Sequence, residues 1–150
     1  MNGILLRAVA TPPYSVVQNA PHQILVCKAC KFEGLIAKNG NALIKKIRAV
    51  VSSTGLDANF EVVGTACLAG CVPEHGRGCV VALRAATKAS WMFGGIDPIE
   101  PLDDLAQFSQ LYAALDDGWC SGKDCGPRLC ANTLARIPAA VIAPKESLTR

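Results

Sequence analysis

HQILVCKAC at residues 22–30 and NFEVVGTACLAGC at residues 59–71 are the stretches that decide how this chain is read. Each opens as a short apolar run that reads as a strand, the first suited to burial, and each runs directly into a pair of cysteines. His22 to Val26 lead into Cys27 and Cys30, while Phe60, Val62 and Val63 lead into Cys67 and Cys71. Between the two runs, Leu43, Ile44, Ile47, Val50 and Val51 share one face at helical spacing, with Lys45, Lys46 and Arg48 off it. This predicts a helix over 41–53, capped by Asn39 or Asn41 and ended by Gly55. A strand, a crossover helix and a second strand normally make the strands parallel, with their C-terminal ends on the same side. The two cysteine pairs are then neighbours in space.

Beyond a glycine-rich loop, Cys79 to Arg84 and Ala89 to Phe93 read as two strands joined by a turn short enough for an antiparallel hairpin. Pro101 opens a second helix, with Asp103 and Asp104 complementing its dipole and Leu102, Leu105, Phe108, Tyr112 and Leu115 on its buried face. The order β-α-β-β-β-α predicts an α/β protein with a thioredoxin-like, mixed four-stranded sheet. Residues 1–21 read as an extended N-terminal arm and 22–117 as the metal-binding domain. Residues 118–150 read as a C-terminal arm, carrying Cys120, Cys125 and Cys130 and a short helix around Leu129 to Ile137.

With 150 residues, 51% of them hydrophobic and 18% charged, the chain is long enough for one core. Its eight cysteines exceed ordinary usage but fall short of the secreted disulfide scaffolds. Met1 to Ala10 has Arg7 inside its only apolar run, which does not fit a secretory signal, and no stretch approaches the roughly 20 apolar residues of a membrane span. The expected location is the cytoplasm, where thiols stay reduced and clustered cysteines bind metal or do redox chemistry. The formal charge of +3 is dispersed, and no nucleic-acid motif accompanies it; the partner it suits is an acidic protein.

Cys27-Lys28-Ala29-Cys30 is a CxxC and Cys67-Leu68-Ala69-Gly70-Cys71 a CxxxC. Two close pairs at adjacent strand ends gather four thiolates, a set that suits tetrahedral zinc or the two irons of a [2Fe–2S] cluster. Gly64, Gly70, Gly76 and Gly78 either let backbone amides approach the sulfurs or simply make turns. The competing reading is a catalytic dithiol, which favours a cysteine at a helix N-terminus; here Lys38, Asn39 and Gly40 stand between the CxxC and the expected helix. Cys79 is a fifth candidate ligand or a small buried hydrophobe. Cys120, Cys125 and Cys130 form either a second metal site or a set of unligated thiols. His22 reads as structural, His75 as an exposed loop residue or an alternative ligand, and Trp91 and Phe93 as packing residues.

From Cys67 to Tyr112, the succession CLAGC, CVVALRA, WMFGGIDP and LDDLAQFSQLY resembles a small cysteine-rich family described only as predicted metal-binding proteins of unknown function. More distantly it resembles the thioredoxin-like [2Fe–2S] ferredoxins, including the related subunit of hydrogenases and respiratory dehydrogenases, over roughly residues 22 to 138. In those ferredoxins two cysteines after the first strand join a CxxxC after the second. Cys27, Cys67 and Cys71 match this pattern, and the remaining ligand position falls where this chain has Asn39 and Gly40. The resemblance implies a one-electron carrier serving a redox partner, with its fourth sulfur from Cys30 or Cys79. The short tether to Cys27 favours Cys30. The alternatives are a zinc- or cobalt-binding protein that delivers metal to a receiving protein, in the cobalamin context in which such families are described, and a thiol oxidoreductase.

Overall fold

A computed structural model describes residues 20–28, 35–65, 68, 79–96 and 101–139, without the side chains of 35–39. The elements are β1 (His22–Cys27), α1 (Leu35–Ser53), β2 (Phe60–Thr65), β3 (Cys79–Ala85), β4 (Lys88–Ile96), α2 (Asp103–Ala114), a 3-10 turn (Gly122–Cys125), α3 (Pro127–Ala131) and β5 (Thr133–Ile137). The five strands form one mixed sheet in the order β2-β1-β3-β4-β5. β1 and β2 run parallel, and the β1–β3, β3–β4 and β4–β5 pairs are antiparallel.

Strand alternation separates the two faces of this sheet. Ile24 and Val26, Phe60 and Val62, Val81 and Leu83, and Trp91 and Phe93 lie on one face, where they join Leu43, Ile44, Ile47 and Val51 of α1 and Leu105, Phe108 and Tyr112 of α2 in a single core. On the other face Leu25, Val63, Val80 and Met92 are half-buried, while Gln23 bonds Glu61 (2.7 Å) and accepts from Arg84.

The first helix is longer than the apolar spacing predicts. It begins at Leu35, so Asn39, Gly40 and Asn41 lie within it and neither asparagine caps it. A mid-helix glycine costs about 1 kcal/mol in intrinsic propensity. Gly40 nevertheless sits where a Cβ would lie 2.8 Å from the Lys28 Cα and 2.9 Å from the Cys27 carbonyl oxygen, so its absence lets α1 approach the end of β1. The end of the helix follows expectation. Gly55, at φ +74°, donates to the Ser52 carbonyl (3.2 Å) and Leu56 to that of Val51 (2.9 Å), the paired bonds of a Schellman motif.

The C-terminal part also differs. The helix expected around Leu129 to Ile137 is instead the short α3 followed by β5, so the sheet has five strands rather than four. Gly126 at φ 88° and Pro127 start α3, and the Asn132 N–H bonded to the Leu129 carbonyl (3.0 Å) ends it. Residues 118–137 belong to the packed unit: Cys125 and Leu129 enter the core, and Trp119 and Cys120 pack against it. The Trp91 indole donates to the Gly118 carbonyl (2.8 Å), and Ala89 N–H to that of Asp117 (2.7 Å).

Candidate functional site

The predicted cluster of four cysteines meets the described structure at Cys27. This residue ends β1, is buried, and lies in register with Thr65 at the end of β2; the next residue, Lys28, donates its N–H to the Thr65 carbonyl (3.0 Å). The parallel pairing expected from the strand–helix–strand order is therefore present, and β1 and β2 end side by side at Cys27 and Thr65. Cys30, Cys67 and Cys71 lie outside the described residues, as does His75. Among the described residues, no group of three or more His, Cys, Asp and Glu is placed to hold a metal ion.

Two glycines shape the ground around Cys27. Gly40 gives the close approach of α1 described above, and a Cβ on Gly64 would lie 2.8 Å from Lys28 Cδ and 2.9 Å from Ile44 Cδ1. Gly64 thus leaves room for the Lys28 stem to lie across β2, with Ile44 of α1 on the other side of the contact. Arg48 of α1 donates to the Val62 carbonyl (3.0 Å), which fastens the helix to β2 at the same strand pair.

Cys79 is brought to the same end of the sheet as Cys27 but not to the same face. Val26 pairs with Val81 on the core face, so Cys27, one residue on, points to the opposite face. Cys79, two residues before Val81, stays on the core face and is 1% exposed within the hydrophobic cluster. The register irregularity near it adds a residue to β4, where Gly95 has φ 65°, and leaves β3 regular.

Cys120, Cys125 and Cys130 all fall on the segment between α2 and β5. Cys125 is buried and donates its thiol to the Gly122 carbonyl (2.8 Å), Cys120 is half-buried and Cys130 is exposed. Burial pushes the Cys125 thiol up, with Cys130 adding to the effect and a Thr133 hydrogen bond opposing it. It also pushes up Cys120, next to Asp124 and Cys125, while Arg136 opposes. Arg136 bonds the Cys120 carbonyl (2.8 Å) and lies 4.2 Å from the centre of the Trp119 ring. Gly126, at φ 88°, and Pro127 separate the 3-10 turn that ends at Cys125 from α3, which carries Cys130.

His22 is structural, as its strand position suggests. It is buried at the other end of β1, with Nδ1 at 3.0 Å from the Asn59 carbonyl, Nε2 at 2.9 Å from Lys88 Nζ, and its ring stacked on Phe60 at 4.9 Å. Lys88 also donates to the carbonyls of Tyr112 (2.9 Å) and Ala113 (3.0 Å), capping the C-terminus of α2. Trp91 and Phe93 are core residues, both set against Phe108. No described helix is long and apolar enough to cross a membrane.

Neither the curated proteins nor the solved structures contain a match to this chain. A family profile described as "Protein of unknown function (DUF1636)" matches residues 24–139, from β1 to just beyond β5, and the chain belongs to that family.

Proposed function

We propose that this member of a family of unknown function is an iron–sulfur protein that carries one electron at a time, with Cys27, Cys30, Cys67 and Cys71 as the ligands of a [2Fe–2S] cluster. The observation that carries the reading is the β1–β2 register. Cys27 pairs with Thr65, and Cys67 follows Thr65 by two residues, a tether of about 7 Å at full stretch. A thioredoxin-like core fits the strand–helix–strand unit and the antiparallel β3–β4 hairpin, with β5 as an addition. Four thiolates are a donor set that suits iron in such a cluster, and the core-facing side chain of Cys79 favours Cys30 as the fourth ligand. When bound, the cluster supplies reversible one-electron transfer. The chain supplies the strand ends that carry the thiolates and, through Gly40 and Gly64, the close packing behind them. The exposed Lys28 beside Cys27 suits an acidic redox partner.

Anaerobic purification of the whole chain tests this. The expected product is brown, with iron and acid-labile sulfide at about two each per chain and a rhombic electron-paramagnetic signal on reduction. Colourless protein holding one zinc or cobalt ion, with no reversible redox wave, would replace the carrier with a metal-binding or delivery protein.

One observation favours a second reading. Because α1 begins at Leu35, the CxxC is closer to a helix N-terminus than the sequence pattern indicates, which suits a dithiol at Cys27 and Cys30. Disulfide turnover that survives complete metal removal and vanishes in Cys27→Ser would establish it.

A further inference from the structure

The formal charge of +3 conceals an uneven distribution. Residues 28–53 carry Lys28, Lys31, Lys38, Lys45, Lys46 and Arg48 against one acid, Glu33, whereas residues 97–124 carry seven acids and a single cation, Lys123. Within α1 there are four cations and no acid, so no carboxylate stands one turn away to balance them. Burial divides this helix. Leu43, Ile44, Ile47 and Val51 enter the core, and Asn41, Ala42, Lys45, Arg48, Ala49 and Ser52 form an exposed stripe. The stripe starts beside the end of β1: a Cβ on Gly40 would lie 2.8 Å from the Lys28 Cα, and Lys45 follows five residues, or about 7.5 Å of helix axis, later. The Lys28 stem and Ile44 meet at Gly64, so the exposed Lys28 borders the same surface.

We propose that the exposed stripe of α1, with Lys28, Lys45 and Arg48 as its charges, is the surface on which this protein docks an acidic protein partner. This names the partner surface of the proposed electron carrier, and it rests on that reading for the partner's role. Charge complementarity selects the occupant. The stripe holds no aromatic side chain on which a base could stack, which disfavours single-stranded nucleic acid. It holds no large exposed hydrophobic either; among the described residues those are Leu134 and Ile137 on β5, so α1 has nothing to insert into a lipid interface. Asp103, Asp104, Asp116, Asp117 and Asp124 repel a negative surface that approaches from the side of α2, and so turn an acidic partner toward α1.

Fluorescent polyglutamate serves as the probe for an acidic protein surface, with affinity read by anisotropy on the full chain as purified, at low salt. Lysine acetylation followed by mass analysis then locates the contact: bound polyglutamate should protect Lys28 and Lys45 and leave the exposed Lys123 reactive. Lys45→Glu should weaken binding about three- to tenfold and Lys45→Gln by less, whereas Lys123→Glu leaves it unchanged. Arg48 is kept, because it also holds the Val62 carbonyl. Raising the salt from about 0.01 to 0.15 M shortens the screening length from about 30 to 8 Å and should abolish binding. The proposal is overturned if protection falls on Lys123 instead, if Lys123→Glu weakens binding as much as Lys45→Glu, or if a single-stranded oligonucleotide or anionic vesicles bind more tightly than polyglutamate. Salt-dependent self-association of the chain would overturn it too, by assigning the stripe to the acidic half of a second copy. Iron content and visible absorption are measured on the same sample. Colourless protein with the expected protection would refute the electron carrier and keep the docking surface; brown protein without it would do the reverse.

Discussion

Replacing Gly40 by alanine tests the contact that positions Cys27. In an ordinary helix interior this change would stabilise by about 1 kcal/mol. Here the new Cβ would fall 2.8 Å from the Lys28 Cα, 2.9 Å from the Cys27 carbonyl oxygen and 3.1 Å from the Lys28 Cβ. Two of these are backbone atoms of a strand end hydrogen-bonded to β2, so relief requires α1 to move away from β1. Overpacking of this kind costs about 1–3 kcal/mol. Because backbone rather than a flexible side chain must yield, the upper part of that range applies, and the net expectation after the propensity gain is a loss of about 1–2 kcal/mol. At about 2–4 °C per kcal/mol for a chain of this size, Tm falls by roughly 2–8 °C. Gly122→Ala is the control, because a Cβ there meets nothing within 4 Å. Thermal unfolding of the two variants, paired with the rate of Cys27 alkylation, is the assay. A Gly40→Ala protein as stable as wild type, with Cys27 equally protected, would refute the reasoning.

Other expectations follow from the same contacts. Cys27→Ser should lose the metal and stability together, as should Cys67→Ser and Cys71→Ser, whereas Cys79→Ala should keep the full metal content and lose about 1 kcal/mol from the core; metal analysis and denaturant titration separate the two patterns. Burial, aided by the nearby Lys88 charge, lowers the His22 pKa below the ordinary 6.5, so the fold favours the neutral ring. Its contribution is present above pH 6.5 and is lost as pH falls through the lower folded value; Tm measured from pH 8 to about pH 5 should show this decline, and His22→Gln should flatten it. A chain ending after Asp117 loses β5, the Gly118 carbonyl that holds Trp91, and the core residues Cys125 and Leu129. By comparison with single buried leucine deletions, its stability should fall by more than about 3 kcal/mol, measured by chemical denaturation.

Much of this fold was legible because local and global signals agree along residues 22–117. The periodic face of α1, the acidic first turn of α2 and the strands leading into Cys27 and from Cys79 each reappear with boundaries moved by a few residues, except at the start of α1. At that start the local pattern misleads for a physical reason. Glycine and asparagine ordinarily break or cap a helix, and only the strand packed against residue 40 explains why the helix continues through them. Thr133 to Ile137 is too short for periodicity to distinguish helix from strand, and its structure is decided by the open edge of β4, which local sequence does not reveal.

The candidate site shows the same division between order and register. Cys27 and Cys79 reach one end of the sheet from chain order alone, and on that ground Cys79 competes with Cys30 for a ligand position. Which face each side chain takes depends on parity: a shift of one residue in the β1–β3 pairing would exchange core and opposite face along the whole strand. The observed pairs, His22 with Ala85 through Val26 with Val81, put the even residues of β1 and the odd residues of β3 on the core face. Cys27 and Cys79 consequently point apart across the sheet. If Cys79 were nonetheless a ligand, β3 would have to twist its first residue out of the core and expose the packing around Ile96, with which it pairs. Loss of metal in Cys79→Ala without loss of stability would be evidence for that rearrangement, whereas retained metal with a weakened core is the outcome the register requires.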